Sequence, residues 1–399
     1  MEPWREEDVD GAQVERVRHD LPAVEHEVYL NNGTFGPVPR PSSEAMQAVL
    51  ARELAEGRIA PDYFARSGAL REEARSLLAA RFGAQADEIA LTPRTTDGID
   101  IALWGMPWQR GAEILTTREE HPGLLLPLAA LSRRTGARVS FVETPEHPTP
   151  RAWLNAFTAR QTEQTRAIAF SHVLWTQGDL LPLDDLCAFA RREGLVSIVD
   201  GAQAAGAVPV DLHRSGVDFY ALPGQKWLQA PEGTGALYVA ASRQTQCQAT
   251  FVGYASGSAL DANATHFQPS QGARRYEIGS PSQASLAGLV ASLRWQGAQN
   301  IAWLEQRIGA LARWLTLALG AVDGVEVVTR LQERMSGLVS FRVHGASAED
   351  VAAALGSRGF RVRHLPAPHA AVRVSCGFYT TGDEVGRLVD AIGEIASSL

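Results

Sequence analysis

Short apolar runs alternate with amphipathic stretches through the middle of the chain. The run "RAIAFSHV" has the continuous apolar character of a buried strand, and "PLDDLCAFARREG" follows with apolar residues at helical spacing and a glycine at its end. Further strand candidates lie on either side of this pair: "ADEIALT", "AEILTT", "ARVSFVE", "LVSIVD", "VDFYAL" and "GALYVA". This repeated alternation favours an α/β fold whose mostly parallel sheet is flanked by helices.

The pattern changes at residues 257–275, which are polar, rich in Gly and Ser, and typical of a loop. A long helical pattern covers residues 280–319, and short strand patterns with flanking helices follow it. This second part predicts a smaller α+β unit. We therefore expect a large domain at residues 25–265 and a small domain built from residues 1–24 and 266–399.

Composition narrows the class of protein. The chain has 399 residues and is 45% hydrophobic, enough for a sizeable core. Its net charge of −8 argues against a nucleic-acid-binding protein, which would normally carry a basic patch. There is no apolar run long enough to span a membrane and no signal-peptide pattern in "MEPWREEDVDG". The three cysteines are far apart and fit neither a disulfide framework nor a metal site. We expect a cytoplasmic enzyme.

Lys226, in "ALPGQKWLQAPEGTG", is the only lysine in the chain. One interpretation is drift in a sequence that otherwise uses arginine for positive charge. The other is chemical: arginine stays protonated and is not a nucleophile, whereas a desolvated lysine can lose its proton and form a Schiff base. The residues around Lys226 distinguish between these two interpretations.

Asp200 ends the apolar run "VSIVD", 26 residues before Lys226. An aspartate there can simply cap the next turn. One helix and one strand separate the two residues, however, which returns the chain to the same edge of a parallel sheet and lets acid and amine face one pocket. Pyridoxal 5′-phosphate (PLP) needs this pair, because lysine holds its aldehyde and an acid keeps its pyridine nitrogen protonated.

Candidates for the other contacts of PLP lie at two strand ends. Thr95 and Thr96 sit where a strand gives way to a helix, so that their hydroxyls and the helix N-terminal amides could converge on a phosphate. An ordinary helix cap explains them equally well. His121 follows the strand "EILTT" and could stack on the ring, although a lone loop histidine is usually solvated.

Together these segments resemble the class V aminotransferase family of fold-type I PLP-dependent enzymes. That family includes cysteine desulfurases, selenocysteine lyases, kynureninases and isopenicillin N epimerase-like proteins. The resemblance runs from "YLNNGTFGPVPR" to "VRVSCGFYTTGDEVGRLV", and its most specific part is "VDGAQ…PVDLHRSGVDFY…GQKWLQAPEGTGALYV". It implies a fold-type I transferase fold, PLP as the cofactor and a homodimer with shared active sites.

The resemblance also implies the roles of residues around the cofactor ring. Lys226 would form the internal aldimine and Asp200 would pair with the pyridine nitrogen. Gln203 would hydrogen-bond the ring hydroxyl, while Ala202 packs beneath the ring and His121 stacks above it.

The same resemblance implies the phosphate and substrate contacts: Thr95, Thr96 and Gln225 for the phosphate, Ser280 for the phosphate of the neighbouring subunit, Arg373 for the substrate α-carboxylate and Asn32 for the substrate. Taken alone, Arg373 could be a surface strand residue. Two positions depart from the family pattern: Gln225 stands where histidine is common, and Trp175 lies near the place of an expected asparagine. The tryptophan indicates either a more aromatic pocket or a core position.

The reaction is left open between three possibilities. The stretch "GFRVRHLPAPHAAVRV" lacks the cysteine that desulfurases of the family use, and Cys376 lies beyond it. Our first choice is an aminotransferase that transfers the amino group of a small α-amino acid to a 2-keto acid. A C–S or β-lyase and an isopenicillin N epimerase-like epimerase are the alternatives, the latter because of "LNNGTFG" and "KWLQAPEGT". Arg361 or Arg363 could bind a second substrate carboxylate.

Two other classes fit less well. A PLP-binding module without turnover would not need the lysine, acid and arginine together. A nicotinamide-dependent enzyme would need G-x-G-x-x-G after its first strand, and no such segment is present.

Overall fold

The structure is a computed structural model, and it describes residues 11–399. The acidic segment at residues 1–10, on which the expectation of no signal peptide rests, lies outside the described residues. Within residues 11–399, no helix is both long and apolar enough to cross a bilayer.

The strands run as follows: β1 Val28–Tyr29, β2 Ile89–Thr92, β3 Glu113–Thr117, β4 Arg138–Val142, β5 Thr165–Ser171, β6 Val196–Asp200, β7 Phe219–Pro223, β8 Gly235–Val239, β9 Gly257–Ser258, β10 Gln268–Pro269, β11 Val325–Val327, β12 Leu338–Val343, β13 Phe360–Arg361, β14 Arg363–Leu365 and β15 Ala371–Ser375. The helices are α1 Gly11–His19, α2 Ala23–His26, α3 Arg40–Glu56, α4 Tyr63–Phe82, α5 Thr95–Gly105, α6 Pro122–Thr135, α7 Pro150–Arg160, α8 Leu183–Arg192, α9 Leu212–Ser215, α10 Gln283–Gly297, α11 Ile301–Leu319, α12 Ala348–Ser357 and α13 Gly382–Ser397. Short 3₁₀ turns lie at Ala86–Glu88 and Gly272–Tyr276.

A seven-stranded sheet forms the centre of the molecule. Its order is β2-β8-β7-β6-β5-β3-β4, and β8 alone is antiparallel to its neighbours. Strands β6, β7 and β8 are buried at every position, as expected for strands covered on both faces. The mostly parallel α/β architecture predicted from the alternating pattern is confirmed. Strand β8 runs the other way because a loop without a helix joins it to β7.

The crossover from β6 to β7 positions the predicted acid and amine. Asp200 is the last residue of β6, and β7 pairs with β6 in parallel after the short helix α9. Both strands therefore end at the same edge of the sheet. Lys226 follows β7 by three residues and lies at that edge with Asp200.

A second, four-stranded sheet is built from the C-terminal part of the chain in the order β11-β12-β15-β14. Its pairing of β14 with β15 sets Arg363 directly opposite Arg373. The chain near the N-terminus joins this part, since β1 pairs with β13 and Asn31 forms a bridge with Ser375. The boundaries proposed at residues 25–265 and 266–399 stay a prediction.

Two predicted segments differ in detail. The long helical pattern at residues 280–319 is divided into α10 and α11, because Asn300 takes a left-handed conformation with φ 61° that a continuous helix does not allow. The region predicted as a loop contains the short antiparallel pair β9–β10 and a 3₁₀ turn. Helix α10 packs against α3 and α4.

Candidate active site

A cavity of about 330 Å³ opens at the edge of the large sheet where β6 and β7 end. Its lining is given by Gly33, Thr34, Phe35, Arg94, Thr95, Thr96, His121, Trp175, Asp200, Ala202, Gln203, Gln225, Lys226, Arg363 and Arg373. Nine of the eleven residues proposed from the sequence meet here. Basic side chains outnumber acidic ones in the lining: Arg94, Lys226, Arg363 and Arg373 against Asp200. This excess of positive charge favours an anionic ligand.

Lys226 lies on the loop after β7, which the N-terminal chain covers. The backbone N–H of Gly36 donates to the Gln225 carbonyl at 2.8 Å, and a Cβ at Gly36 would lie 2.2 Å from the Lys226 carbonyl. Only glycine permits this close approach. Desolvation lowers the pKa of Lys226 to about 8; Asp200 opposes that change and Arg373 adds to it. A neutral amine is therefore accessible close to neutral pH.

Asp200 is buried at the floor of the cavity beside Ala202. Burial raises the pKa of Asp200, whereas the Lys226 ammonium and a hydrogen bond from the Ala202 N–H, at 2.8 Å, lower it. A buried carboxylate requires a cationic or N–H partner. The Ala202 amide and the Lys226 ammonium are the partners of the Asp200 carboxylate in this cavity. A protonated ring nitrogen of a ligand would supply a second positive charge.

Gln203 joins the two loops that close the site. Its Nε2 donates to the Gly33 carbonyl at 2.8 Å, and its Oε1 accepts from Trp227 Nε1 at 3.0 Å. The second N–H of the amide remains for a ligand. The side chain thus lies in the cavity, as the proposed contact with a ring hydroxyl requires.

His121 and Trp175 form one wall of the cavity. Their rings meet edge to face, 5.1 Å apart and at 84°. Trp175 is 7% exposed, and its Nε1 has no hydrogen-bond partner within the described part of the chain. Trp175 is therefore both a core residue and part of an aromatic pocket, because this buried side chain also lines the cavity.

The protonation of His121 follows from its position at the start of α6. Its Nδ1 accepts a hydrogen bond from the Gly123 N–H at 2.9 Å, which places the ring proton on Nε2. Burial, and then the positive charge of Lys226, lower the pKa of His121 to about 4. His121 is thus a neutral N–H donor near pH 7.

Thr95 and Thr96 are the first two residues of α5. No side chain caps this helix, so that its N-terminal amides stay free at the cavity. Free amides and hydroxyls at a helix N-terminus are suited to phosphate. Gln225 lines the same cavity; its Oε1 has no partner within residues 11–399 and can only accept, so that a contact with phosphate would fall to its Nε2. These hydroxyl and amide donors, together with Lys226 and Asp200 in the same cavity, fit PLP.

Comparison with known proteins agrees with this geometry. The family model described as aminotransferase class-V matches residues 28–388. The chain is 31% identical over 377 residues to isopenicillin N epimerase of Streptomyces clavuligerus, covering 92% of this chain and 94% of that protein. The chain belongs to the class-V aminotransferase family.

Other members of the class-V family are similar over nearly the whole chain. A probable cysteine desulfurase of Xylella fastidiosa is 28% identical over 408 residues, with 96% of each protein covered. The structure of the cystine C–S lyase C-DES with its product cysteine persulfide has a TM-score of 0.88 and 27% identity; the match covers 94% of this chain and 99% of that one.

Two of the proposed site residues do not line the cavity. Asn32 is buried behind it, where its Oδ1 accepts from the Tyr379 hydroxyl at 3.2 Å and its Nδ2 has no partner within residues 11–399. Ser280 is hydrogen-bonded to the Tyr254 hydroxyl and lines a different cavity together with Pro93. A direct role of Asn32 in substrate binding has no support in this geometry, and the contact of Ser280 with a neighbouring subunit's phosphate stays a prediction.

Sequence reasoning missed Thr34 and Glu120, and gave Arg363 little weight. Glu120 is buried beneath His121, and its carboxylate accepts from the Ser171 N–H at 2.9 Å and from Thr117 Oγ1 at 2.9 Å. Burial raises the pKa of Glu120 to about 8 against these hydrogen bonds. The one sequence feature that could have indicated Glu120 as part of the site is its position directly before His121.

His172 carries a pH-dependent contribution to stability next to the site. It is fully buried, its Nδ1 lies 3.0 Å from the Tyr220 hydroxyl, and burial lowers its pKa to about 3. A depressed histidine pKa stabilises the fold above the unfolded value of about 6.5 and loses that contribution as the pH falls. From pH 7 to 5, the free energy of unfolding of wild type relative to His172→Gln should drop by about 2 kcal/mol.

Urea unfolding of both proteins at pH 7, 6 and 5, at one protein concentration, measures this difference. Because His121 is present in both proteins, its own titration cancels. A difference that stays constant with pH would show that His172 titrates normally.

Proposed function

We propose that the protein is a PLP-dependent C–S lyase that acts on a small α-amino acid with sulfur on its β-carbon, with L-cystine as the first candidate. The proposal rests on one arrangement: Lys226, Asp200 and a pair of arginines surround one cavity that no cysteine lines. The similarity of the chain's structure to that of the cystine C–S lyase C-DES supports this choice of reaction.

PLP is the cofactor, and when bound it supplies the electron sink that lets bonds at the α-carbon break. The chain's own residues would hold it in three places. Lys226 provides the amine for its aldehyde, Asp200 the counter-charge for its ring nitrogen, and the N-terminus of α5 with Thr95 and Thr96 the amides and hydroxyls for its phosphate.

Lys226 is also the residue that would move the α-proton. Once a substrate amine has displaced it, its neutral form is a base within the cavity, and its pKa of about 8 suits that task near neutral pH. His121, in contrast, is neutral and uses its Nδ1 in a hydrogen bond. Lys226 is therefore the base available among the residues that line the cavity.

Thiol chemistry by the protein itself has no support. Cys187, Cys247 and Cys376 are all buried, and none of them lines the cavity. Burial raises the pKa of Cys376 to about 12 and that of Cys247 to about 11, so that neither is a thiolate near pH 7. Sulfur would leave with the product instead of passing to a cysteine of the enzyme.

The proposed reaction balances without an oxidant or reductant. L-Cystine and one water give cysteine persulfide, pyruvate and ammonia. The Cα–H bond breaks with its proton going to Lys226 Nζ, and the Cβ–S bond breaks with its electron pair leaving on sulfur. Hydrolysis of the remaining three-carbon amino fragment gives pyruvate and ammonia.

An epimerase is the second candidate, supported by the 31% identity to isopenicillin N epimerase. Epimerisation by two bases requires a second base besides Lys226, and His121, whose Nδ1 accepts from the Gly123 N–H, would offer the cavity an N–H and no base. Transamination, the first choice from the sequence, is less well supported by the relatives compared above than these two alternatives.

Incubation of the holoenzyme with L-cystine distinguishes the three reactions. We expect pyruvate, ammonia and persulfide in equal amounts, with the cofactor retained as PLP. Accumulation of pyridoxamine phosphate would indicate an aminotransferase, and D-isomer or solvent deuterium at Cα without pyruvate would indicate an epimerase. Either result would contradict the lyase proposal.

Alkylation with iodoacetamide provides a second arm of the same assay. Because the three thiols are buried and protonated, treated native enzyme should keep its rate of persulfide release. Loss of activity together with mass on Cys376 would point instead to a desulfurase that uses this thiol.

We further propose a homodimer. Three large exposed apolar side chains lie next to Ser280: Phe251 and Ile278 line the same cavity, and Tyr254 is hydrogen-bonded to Ser280. More are exposed in the same stretch of the chain, namely Val252, Leu260 and Phe267, which is more than single scattered residues would require. A second copy of the chain would cover this surface and bring Ser280 to the neighbouring phosphate site. Light scattering should give twice the chain mass of 43.0 kDa, and a monomer would contradict the proposal.

A further inference from the structure

Thr34 lies in a tight turn after β1, at the mouth of the cavity. Its N–H donates to the Asn31 carbonyl at 3.0 Å, and its Oγ1 donates to Asn31 Oδ1 at 2.7 Å. The side chain of Asn31 thus fixes the hydroxyl of Thr34 and decides where its proton points.

The same hydroxyl accepts from both arginines of the cavity. Arg363 Nη1 lies 3.1 Å and Arg373 Nη2 lies 3.2 Å from Thr34 Oγ1. A threonine hydroxyl has one donor and two acceptor sites. All three are used here, because the hydroxyl donates its proton to Asn31 Oδ1 and its two lone pairs accept from the two guanidinium groups.

The guanidinium groups of Arg363 and Arg373 have no carboxylate partner in the part of the chain that the structure describes. Within residues 11–399, no Asp or Glu oxygen lies within 4.0 Å of either one. Arg373 is buried, its Nη1 donates to the Trp175 carbonyl at 2.9 Å, and its Nε has no partner among the described residues. Two adjacent like charges with a free N–H at a cavity call for an anion there.

We propose that Thr34 is a positioning residue that brings Arg363 and Arg373 together on one substrate carboxylate. Its hydroxyl holds one N–H of each fork, so that the remaining N–H groups of both forks converge. This inference rests on the proposed function only in that the ligand is an α-amino acid; it does not depend on which bond is broken.

Thr34→Val tests the proposal, since valine has nearly the shape of threonine but no hydroxyl. The probes are glycine and methylamine, which differ by the carboxylate alone, and binding is read from the visible absorbance of the bound cofactor. Loss of a hydrogen bond to a charged group should weaken glycine binding by about ten- to a hundredfold. Methylamine binding should change by less than about threefold, because it has no carboxylate for the arginines.

Thr34→Ser keeps the hydroxyl and should restore the preference for glycine. Thr158→Val makes the same substitution on the exposed surface of α7 and should bind both probes as wild type does. Should Thr34→Val not yield folded holoenzyme, Thr34→Ala removes the same hydroxyl and is read in the same way.

Equal losses for glycine and methylamine, or no loss for either, would overturn the role of Thr34. Absence of pyruvate from L-cystine with wild-type enzyme would overturn the lyase proposal but leave this ratio unaffected. The two failures are therefore distinguishable.

Discussion

Lys226→Arg should lower kcat by at least about 10³-fold, within the range of about 10² to 10⁴ for loss of a positioned acid–base group. Arginine keeps the charge and approximate size, but it neither forms the covalent bond with the cofactor aldehyde nor gives up its proton. The buried counter-charge of Asp200 stays paired, so that the fold should survive. Circular dichroism and the rate of pyruvate release from L-cystine measure the two properties separately.

Lys226→Ala is the companion variant. It opens space where the amine was, and added methylamine should restore part of its activity by replacing the missing base. Methylamine should not help Lys226→Arg, whose side chain fills that space. A Lys226→Arg enzyme with wild-type turnover would show that Lys226 neither holds the cofactor nor moves the proton.

Asp200→Asn should lower kcat by about 10²- to 10³-fold, the range for loss of one electrostatic stabiliser. The substitution preserves shape and removes the charge that Lys226 and a protonated ring nitrogen require. Asp200 raises the pKa of Lys226 against the effect of burial, so that the pKa of the lysine should fall further below its present value of about 8. Schiff-base formation requires the neutral amine, so the pH profile for the rate at which cofactor-free enzyme takes up PLP should move to lower pH in Asp200→Asn.

Two further substitutions complete this test. Asp200→Glu keeps the charge and should retain more activity than Asp200→Asn. Asp185→Asn, on the exposed face of α8, removes a carboxylate that does not line the cavity and should leave kcat unchanged. Equal activity of Asp200→Asn and wild type would show that the carboxylate has no part in the chemistry.

The part of the site that the sequence predicts well depends on local rules. Asp200 and Lys226 are separated by one strand and one short helix, and the geometry of a parallel sheet places both at one edge. Thr95, Thr96 and His121 follow from strand ends in the same way. Each of these positions can be derived from the neighbouring strand and helix patterns alone.

The part that the sequence does not predict depends on contacts between distant segments. Thr34 meets Arg363 and Arg373 across 329 and 339 residues, and neither a period nor a spacing signals such a contact. The break between α10 and α11 was missed for a different reason, because a single left-handed Asn300 interrupts an otherwise continuous helical pattern.

The measurement that tests the central claim most directly is reduction of the holoenzyme with sodium borohydride, followed by peptide mass analysis. Because the chain has one lysine, the reduced cofactor can be assigned to it without ambiguity. We expect the mass of one phosphopyridoxyl group on the peptide that contains Lys226, and none in Lys226→Arg. An unmodified Lys226 peptide from active enzyme would contradict the site described above.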